Sequence, residues 1–244
     1  MHKLALVAIL GLTGSALCIG AAAAIGGREF GQNWGDGMDF SMFGDRPRCE
    51  TIQGATATNR VLDWDGSDHF SLAVPGHASY TPGTDDKVHV SGNAQLLAHI
   101  IVRDGRLQLD CRSWHGDTDA LTVTLPGREF KKFGIAGSGN LALSNLDQNS
   151  VSLHIAGSGS IKADGKVEHA DVHIAGSGDA DLGQVKANVA TVHIAGSGNT
   201  DIAPSDEADI HIAGSGDVNL HSNPKRLETH IAGSGRIHNI GTGG

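Results

Sequence analysis

Aromatic residues are scarce: one tyrosine, three tryptophans and six phenylalanines among 244 residues, and none beyond Phe133. A globular interior usually draws on aromatic volume, so the C-terminal half must fill its core with small and branched aliphatic side chains. Cysteine is rarer still, at three, which excludes a disulfide-dense scaffold and a four-thiolate metal site. Basic residues number 18 against 27 acidic, a formal net charge of −9. A surface with that balance repels phosphate, so nucleic acid and anionic lipid are poor partners. What is abundant is glycine, at 35 residues, with 39% hydrophobic residues around it. That mixture is too apolar for a disordered chain and points to an elongated or repetitive architecture.

The N-terminus runs from His2 and Lys3 through the apolar stretch Leu4 to Leu12 to the small residues Ala21 to Ala24. This order predicts a secretory signal peptide over residues 1–24, with an apolar run too short for a membrane span. Cys18 fits no lipoprotein signal, since Ser15 and Leu17 occupy positions that need an aliphatic and a small residue. Export leaves Cys49 and Cys111 in an oxidising compartment. Two readings stand side by side: a disulfide, or two buried thiols in separate strands. Residues 25–48 carry glycine, aspartate and scattered aromatics without apolar period and read as a flexible linker.

Residues 49–133 hold short β-type runs separated by turn residues. The candidate strands are Arg60–Trp64, His69–Val74, Lys87–Ser91, Ala98–Arg103, Arg106–Cys111 and Ala120–Leu125. Asp104-Gly105 between two of them is a hairpin signal.

Residues 134–244 are different. Ile-Ala-Gly-Ser-Gly occurs six times, beginning at Ile135, Ile155, Ile174, Ile194, Ile212 and Ile231. Intervals of 18 to 20 residues are too short for a pair of packed helices, and the leucine frame of a leucine-rich repeat is missing. Alternation on both sides of each Gly-Ser-Gly predicts two strands per repeat, each with one buried face. The inward columns are Phe133, Leu153, Val172, Val192, Ile210, Thr229, then the six isoleucines. Past the corner they are Leu141, Ile161, Ala180, Thr200, Val218, Ile237 and Leu143, Ala163, Leu182, Ile202, Leu220, Asn239. The expected fold is therefore all-β: a right-handed parallel β-helix with coils of about 19 residues, preceded by a β-rich part. The glycines are expected at the corners, where φ > 0 and close backbone approach exclude side chains. Asn239, polar at an inward position of the last coil, reads as a cap against end-to-end stacking.

Val88-His89-Val90-Ser91-Gly92-Asn93, Leu96-Leu97, Asp104-Gly105-Arg106-Leu107 and Leu121 to Pro126, followed by the Gly-Ser-Gly coils, form an order of features that resembles the auto-transporter adhesin head GIN domain family. The resemblance covers Thr51 to the C-terminus. It implies a bacterial, exported β-helical domain with an adhesive label and no established activity. A C-terminal membrane barrel, which self-translocation needs, has no counterpart after the last repeat.

The chemistry-bearing feature is histidine. His154, His173, His193, His211 and His230 each precede a repeat isoleucine and point away from the core; the first copy has Gly134. Stacked coils would align five imidazoles, a weak candidate for a zinc or copper stripe. With no carboxylate recurring beside them, a solvated ladder carried along by duplication is the favoured reading. Calcium binding is not expected, because the residue after the second glycine varies among Asn140, Ser160, Asp179, Asn199, Asp217 and Arg236. Catalysis is not expected either, since short intervals leave no loops to wall a groove. Asp85–Asp86, Asp117/Asp119 and Asp206–Glu207 read as solvated loop charges. The resulting expectation is a non-catalytic periplasmic or surface protein without a cofactor, binding a glycan or cell-envelope polymer through its flat faces.

Overall fold

The computed structural model describes residues 47–112, 114 and 121–241. The expected signal peptide, nearly all of the expected linker, and Asp117 and Asp119 lie outside the described residues.

The first part contains β1 (Asn59–Asp63), β2 (His69–Leu72), β3 (His77–Tyr80), β4 (Lys87–Ser91), the one-turn helix α1 (Ala94–Ala98), β5 (Ile100–Arg103), β6 (Arg106–Leu109) and β7 (Thr122–Thr124). The hairpin at Asp104-Gly105 forms as expected, with φ of 50° and 67° at the two turn residues and β5 antiparallel to β6. Two elements were not foreseen. Strand β3 follows the Pro75-Gly76 turn and buries Ala78 and Tyr80. Helix α1 displaces the start of the strand expected at Ala98. The Asn93 side-chain oxygen accepts the backbone N–H groups of Gln95 and Leu96, which nucleates one turn and drives Leu96 and Leu97 inward.

From Lys132 the chain winds into a parallel β-solenoid of about six turns, with coils about 20 residues apart. Its strands are β8 (Lys132–Gly137), β9 (Asn140–Gly157), β10 (Ser160–Gly176), β11 (Asp179–Gly196), β12 (Thr200–Gly214), β13 (Asp217–Leu220), β14 (Arg226–Gly233) and β15 (Arg236–Asn239). Every coil-to-coil pairing is parallel, and the repeats lie in register: Ile135, Ile155, Ile174, Ile194, Ile212 and Ile231 stack in one column. The two separate strands expected per repeat are instead one strand of 15 to 18 residues in β9 to β12. The second bend falls inside the strand, at register shifts around Asp164 and between Leu182 and Ala187. Asn145 and Gly165 meet it with φ of 56° and 127°. The far side of that bend adds a core column missed in sequence: Val151, Ala170, Ala190 and Ala208.

The predicted inward columns are buried through the fifth coil, including Thr200. At the sixth coil the pattern breaks. Thr229 and Asn239 are exposed, and Leu227 and Ile231 are 46% and 45% exposed. The Asn239 amide donates to the Asn223 side chain, and its oxygen accepts from the backbone of Gly241. The opposite end is closed. There β2 pairs with β8 and β3 with β9, so the first part forms the initial rungs. Trp64, Phe70, Tyr80, Phe130 and Phe133 pack at ring-centroid distances of 5.0 to 6.0 Å and plug that end. One hydrophobic core runs from Phe70 to Leu220.

The two glycines of each corner serve different purposes. The first has φ between 118° and 140° in all six copies. The second is free of that constraint, but a Cβ on Gly178 would collide with the Gly159 carbonyl and the Ile155 methyl below it. The following residue forms a polar ladder. Asp179 accepts from the backbone and side chain of Asn199, Asn199 accepts from Asp217 N–H, and Asp217 accepts from Arg236 N–H. These oxygens satisfy corner amides, which explains why asparagine and aspartate interchange there.

Gly178→Ala should lower the unfolding free energy by about 1–3 kcal/mol through overpacking alone. Ser177→Ala, at the exposed tip of the same corner, should change it by less than about 0.5 kcal/mol. Urea titration followed by circular dichroism compares the two; equal stabilities would refute this role for the second glycine. Cys49 and Cys111 form a disulfide with a sequence separation of 62. Reduction, or a Cys49→Ser/Cys111→Ser variant, should lower stability by up to about 4 kcal/mol from loop-closure entropy, read as a drop in thermal midpoint.

Candidate functional site

The histidine before each core isoleucine faces away from the core because side chains alternate along a strand. Register brings His154, His173, His193, His211 and His230 into one column. Successive ring centroids lie 4.9, 5.0, 4.9 and 4.8 Å apart, with interplanar angles of 5° to 19°. This is the strand spacing, so the backbone sets the stack and the rings sit offset within it.

The column is not the uniformly solvated ladder expected from sequence. His154 and His173 are only 5% and 4% exposed; His193 and His211 are half-buried, and His230 is exposed. His173, His193 and His211 have a neighbouring ring against each face, whereas the end rings His154 and His230 have one on a single face each. Burial pushes His154 down to about 4, aided by the Lys132 charge. Burial pushes His173 down to about 3, and the adjoining His154, His193 and Lys132 charges add to it. Both imidazoles are neutral at pH 7.

The column beside the histidines, two residues earlier on the same face, reads Lys132, Ser152, Asp171, Thr191, Asp209, Glu228. The expectation that no carboxylate accompanies the ladder is thus corrected. Three do, in copies three, five and six, and period-2 alternation was the signal that places them. Ser152 Oγ lies 2.9 Å from His154 Nε2, and Asp209 Oδ1 lies 3.0 Å from His211 Nε2. The Nδ1 atoms of His173 and His211 are buried without a hydrogen bond.

Other clusters are structural. His99 bridges Asp110 and the Glu50 carbonyl at 2.9 Å each, beside Cys111, whose sulfur the disulfide occupies. Asp206 and Glu207 lie in strand β12 rather than a loop, paired with Lys225 and Arg226. Asp85 accepts from Lys87 N–H and contacts His89 at 2.7 Å.

With the solenoid and its columns described, relatives can be considered. Residues 72–224, more than half of the chain, match the family described as putative auto-transporter adhesin, head GIN domain. The chain belongs to this family. No curated protein matches this GIN-domain chain in sequence. Among solved structures, a putative adhesin from Bacteroides fragilis superposes with a TM-score of 0.60 at 19% identity, covering 81% of this chain and all of the other. A putative adhesin from Parabacteroides distasonis gives a TM-score of 0.48 at 16% identity, covering 80% of this chain and all of the other. A putative lipid binding protein from the same species gives 0.48 at 18%, covering 75% and 96%. At these identities the first likeness establishes the shared fold.

The two buried imidazoles make stability depend on pH. Their folded pKa values lie below the ordinary 6.5, so the unfolded chain binds more protons and stability rises with pH. The contribution is complete above about 6.5 and disappears as pH falls through about 4 and then about 3. Each histidine contributes a slope of about 1.4 kcal/mol per pH unit within that window. Denaturant titrations at pH 7 and pH 4.5 should show a clear loss in wild type and a smaller one in His154→Asn/His173→Asn. Identical pH dependence in the two proteins would refute it.

Proposed function

We propose that this GIN-domain protein is an exported, non-catalytic binding rod of the bacterial cell envelope or surface, and that its ligand is a repetitive polymer such as a glycan. The observation that carries this reading is the in-register solenoid itself. Each coil repeats the same outward columns at one strand spacing, which suits a ligand that is also periodic. Exposed serines at all six corners and the polar ladder beside them offer hydroxyl and carboxylate groups along one edge. Such an array binds through many weak contacts, whose effect multiplies once the first is made.

Family membership supports the adhesive character, and the apolar N-terminal stretch supports export. Among the described residues no helix is long and apolar enough to cross a membrane. The coil-to-coil intervals leave no long turns to enclose a substrate, which supports binding over turnover.

A retention assay of the purified mature chain on cell-wall, capsular and host polysaccharides tests the proposal. Retention on at least one polymer, reduced by charge-altering substitutions at Asp179 and Asp217, is the expected result. No retention on any polymer would overturn the ligand class. Fractionation with protease shaving of intact cells should place the protein in the envelope; a cytoplasmic pool alone would overturn export.

A further inference from the structure

The histidine column differs in kind at its C-terminal end. We propose that Asp209, His211 and His230 form a zinc site at the open end of the solenoid. The polymer-binding reading neither requires this site nor depends on it.

Among the described residues, these three bring one ligand-type atom each within 4.8 Å of one another. Two imidazoles and a carboxylate are a common donor set for zinc, leaving a fourth position for water. The other three-residue group, His99, Asp110 and Cys111, has its sulfur tied up in the disulfide.

The geometry within the group has the character of a ligand set. Asp209 Oδ1 and His211 Nε2 approach to 3.0 Å, yet Asp209 Oδ1 is buried and makes no hydrogen bond. That separation is close to one edge of a coordination tetrahedron, which is about 3.3 Å at zinc bond lengths of about 2.0 Å. His230 supplies the third donor. Its ring lies 4.8 Å from that of His211 at an interplanar angle of 6°. Parallel rings at that distance must tilt at their tips to share an ion, and His230 is the ring with freedom to do so.

Position in the column excludes the other histidines. His154 stands beside Ser152 and His193 beside Thr191, neither a carboxylate. His173 has Asp171 beside it but is 4% exposed and stacked on both faces. Only between the fifth and sixth coils does a carboxylate sit over a carboxylate, Asp209 over Glu228, alongside stacked histidines with one ring exposed. Glu228 lies 3.9 Å from Arg226 and is not part of the three-residue group.

Calorimetric titration of the tag-free full chain with zinc chloride at pH 7.5 tests the proposal. One ion per chain with micromolar affinity is expected. His230→Asn and Asp209→Asn should each weaken binding at least tenfold, while His238→Asn, an exposed histidine outside the group, should leave it unchanged. Replacing zinc by cobalt(II) should give the intense visible absorption of a four-coordinate ion, and His230→Asn should abolish it. His230 is exposed, so its substitution leaves the fold intact, which circular dichroism verifies. Absence of binding in wild type, or equal affinity in wild type and His230→Asn, would overturn the site.

Discussion

Parallel hydrogen bonding of each coil to the next, in register through every Ile-Ala-Gly segment, is the constraint from which the rest follows. It holds successive coils at about 4.8 Å and places every repeat position above its own copy. A side chain in this structure therefore has its homologue as its nearest neighbour. For apolar residues this is favourable, and the isoleucine column is unbroken over six copies. For charged residues it is unfavourable, because like charges at strand spacing repel. The outward columns accordingly mix their chemistry: Lys132, Ser152, Asp171, Thr191, Asp209, Glu228 in one, and Lys162 over Asp181 in another. Where Asp181 and Asp201 do stack, Lys162 pairs with the first, and Asn219 and His221 engage the second. Histidine is the titratable residue that can escape the problem by releasing its proton, as the buried His154 and His173 do.

The same constraint explains the unusual composition. A coil of about 20 residues encloses a narrow interior, and stacked aromatic rings would have to fit above one another inside it. Aliphatic columns of isoleucine, valine, leucine and alanine fill that space in step. Among the described residues, Trp64, Phe70, Tyr80, Phe130 and Phe133 collect where periodicity ends, at the closed N-terminal end, with Phe133 stacked on Phe70 of β2. The two ends thus differ in physical character: one is sealed by rings, and the other leaves Leu227, Ile231 and His230 open.

Much of the solenoid was legible because period-2 alternation repeated six times assigns inside and outside without any need for long-range information. The core columns followed from that count through the fifth coil. Less legible were features decided by contacts across coils. A bend inside a strand leaves alternation almost intact, so Asn145 and Gly165 did not announce a second corner. The single turn of α1 rests on one asparagine cap and two leucines, too short a segment for a helical period. Burial of His154 and His173 was not legible, because alternation tells which face a side chain takes but not what covers it. Asp171, Asp209 and Glu228 were visible at i−2 of their histidines. They escaped notice because they occur in three of the copies rather than in all, and in this architecture departures from the repeat matter as much as the repeat.

That last point separates the two kinds of chemistry on one surface. Positions identical in every coil are shaped by stacking, and their role is shared along the rod. Positions that vary mark places where a single coil does something its neighbours do not. The glycine corners and the isoleucines belong to the first kind. Asp209 belongs to the second: it stands beside His211, where the buried stretch of imidazoles gives way to the exposed His230. Burial along the column thus falls toward the end where the carboxylates gather. The same repeated histidine is thus buried in the second and third coils, as His154 and His173, and exposed at the open end, as His230.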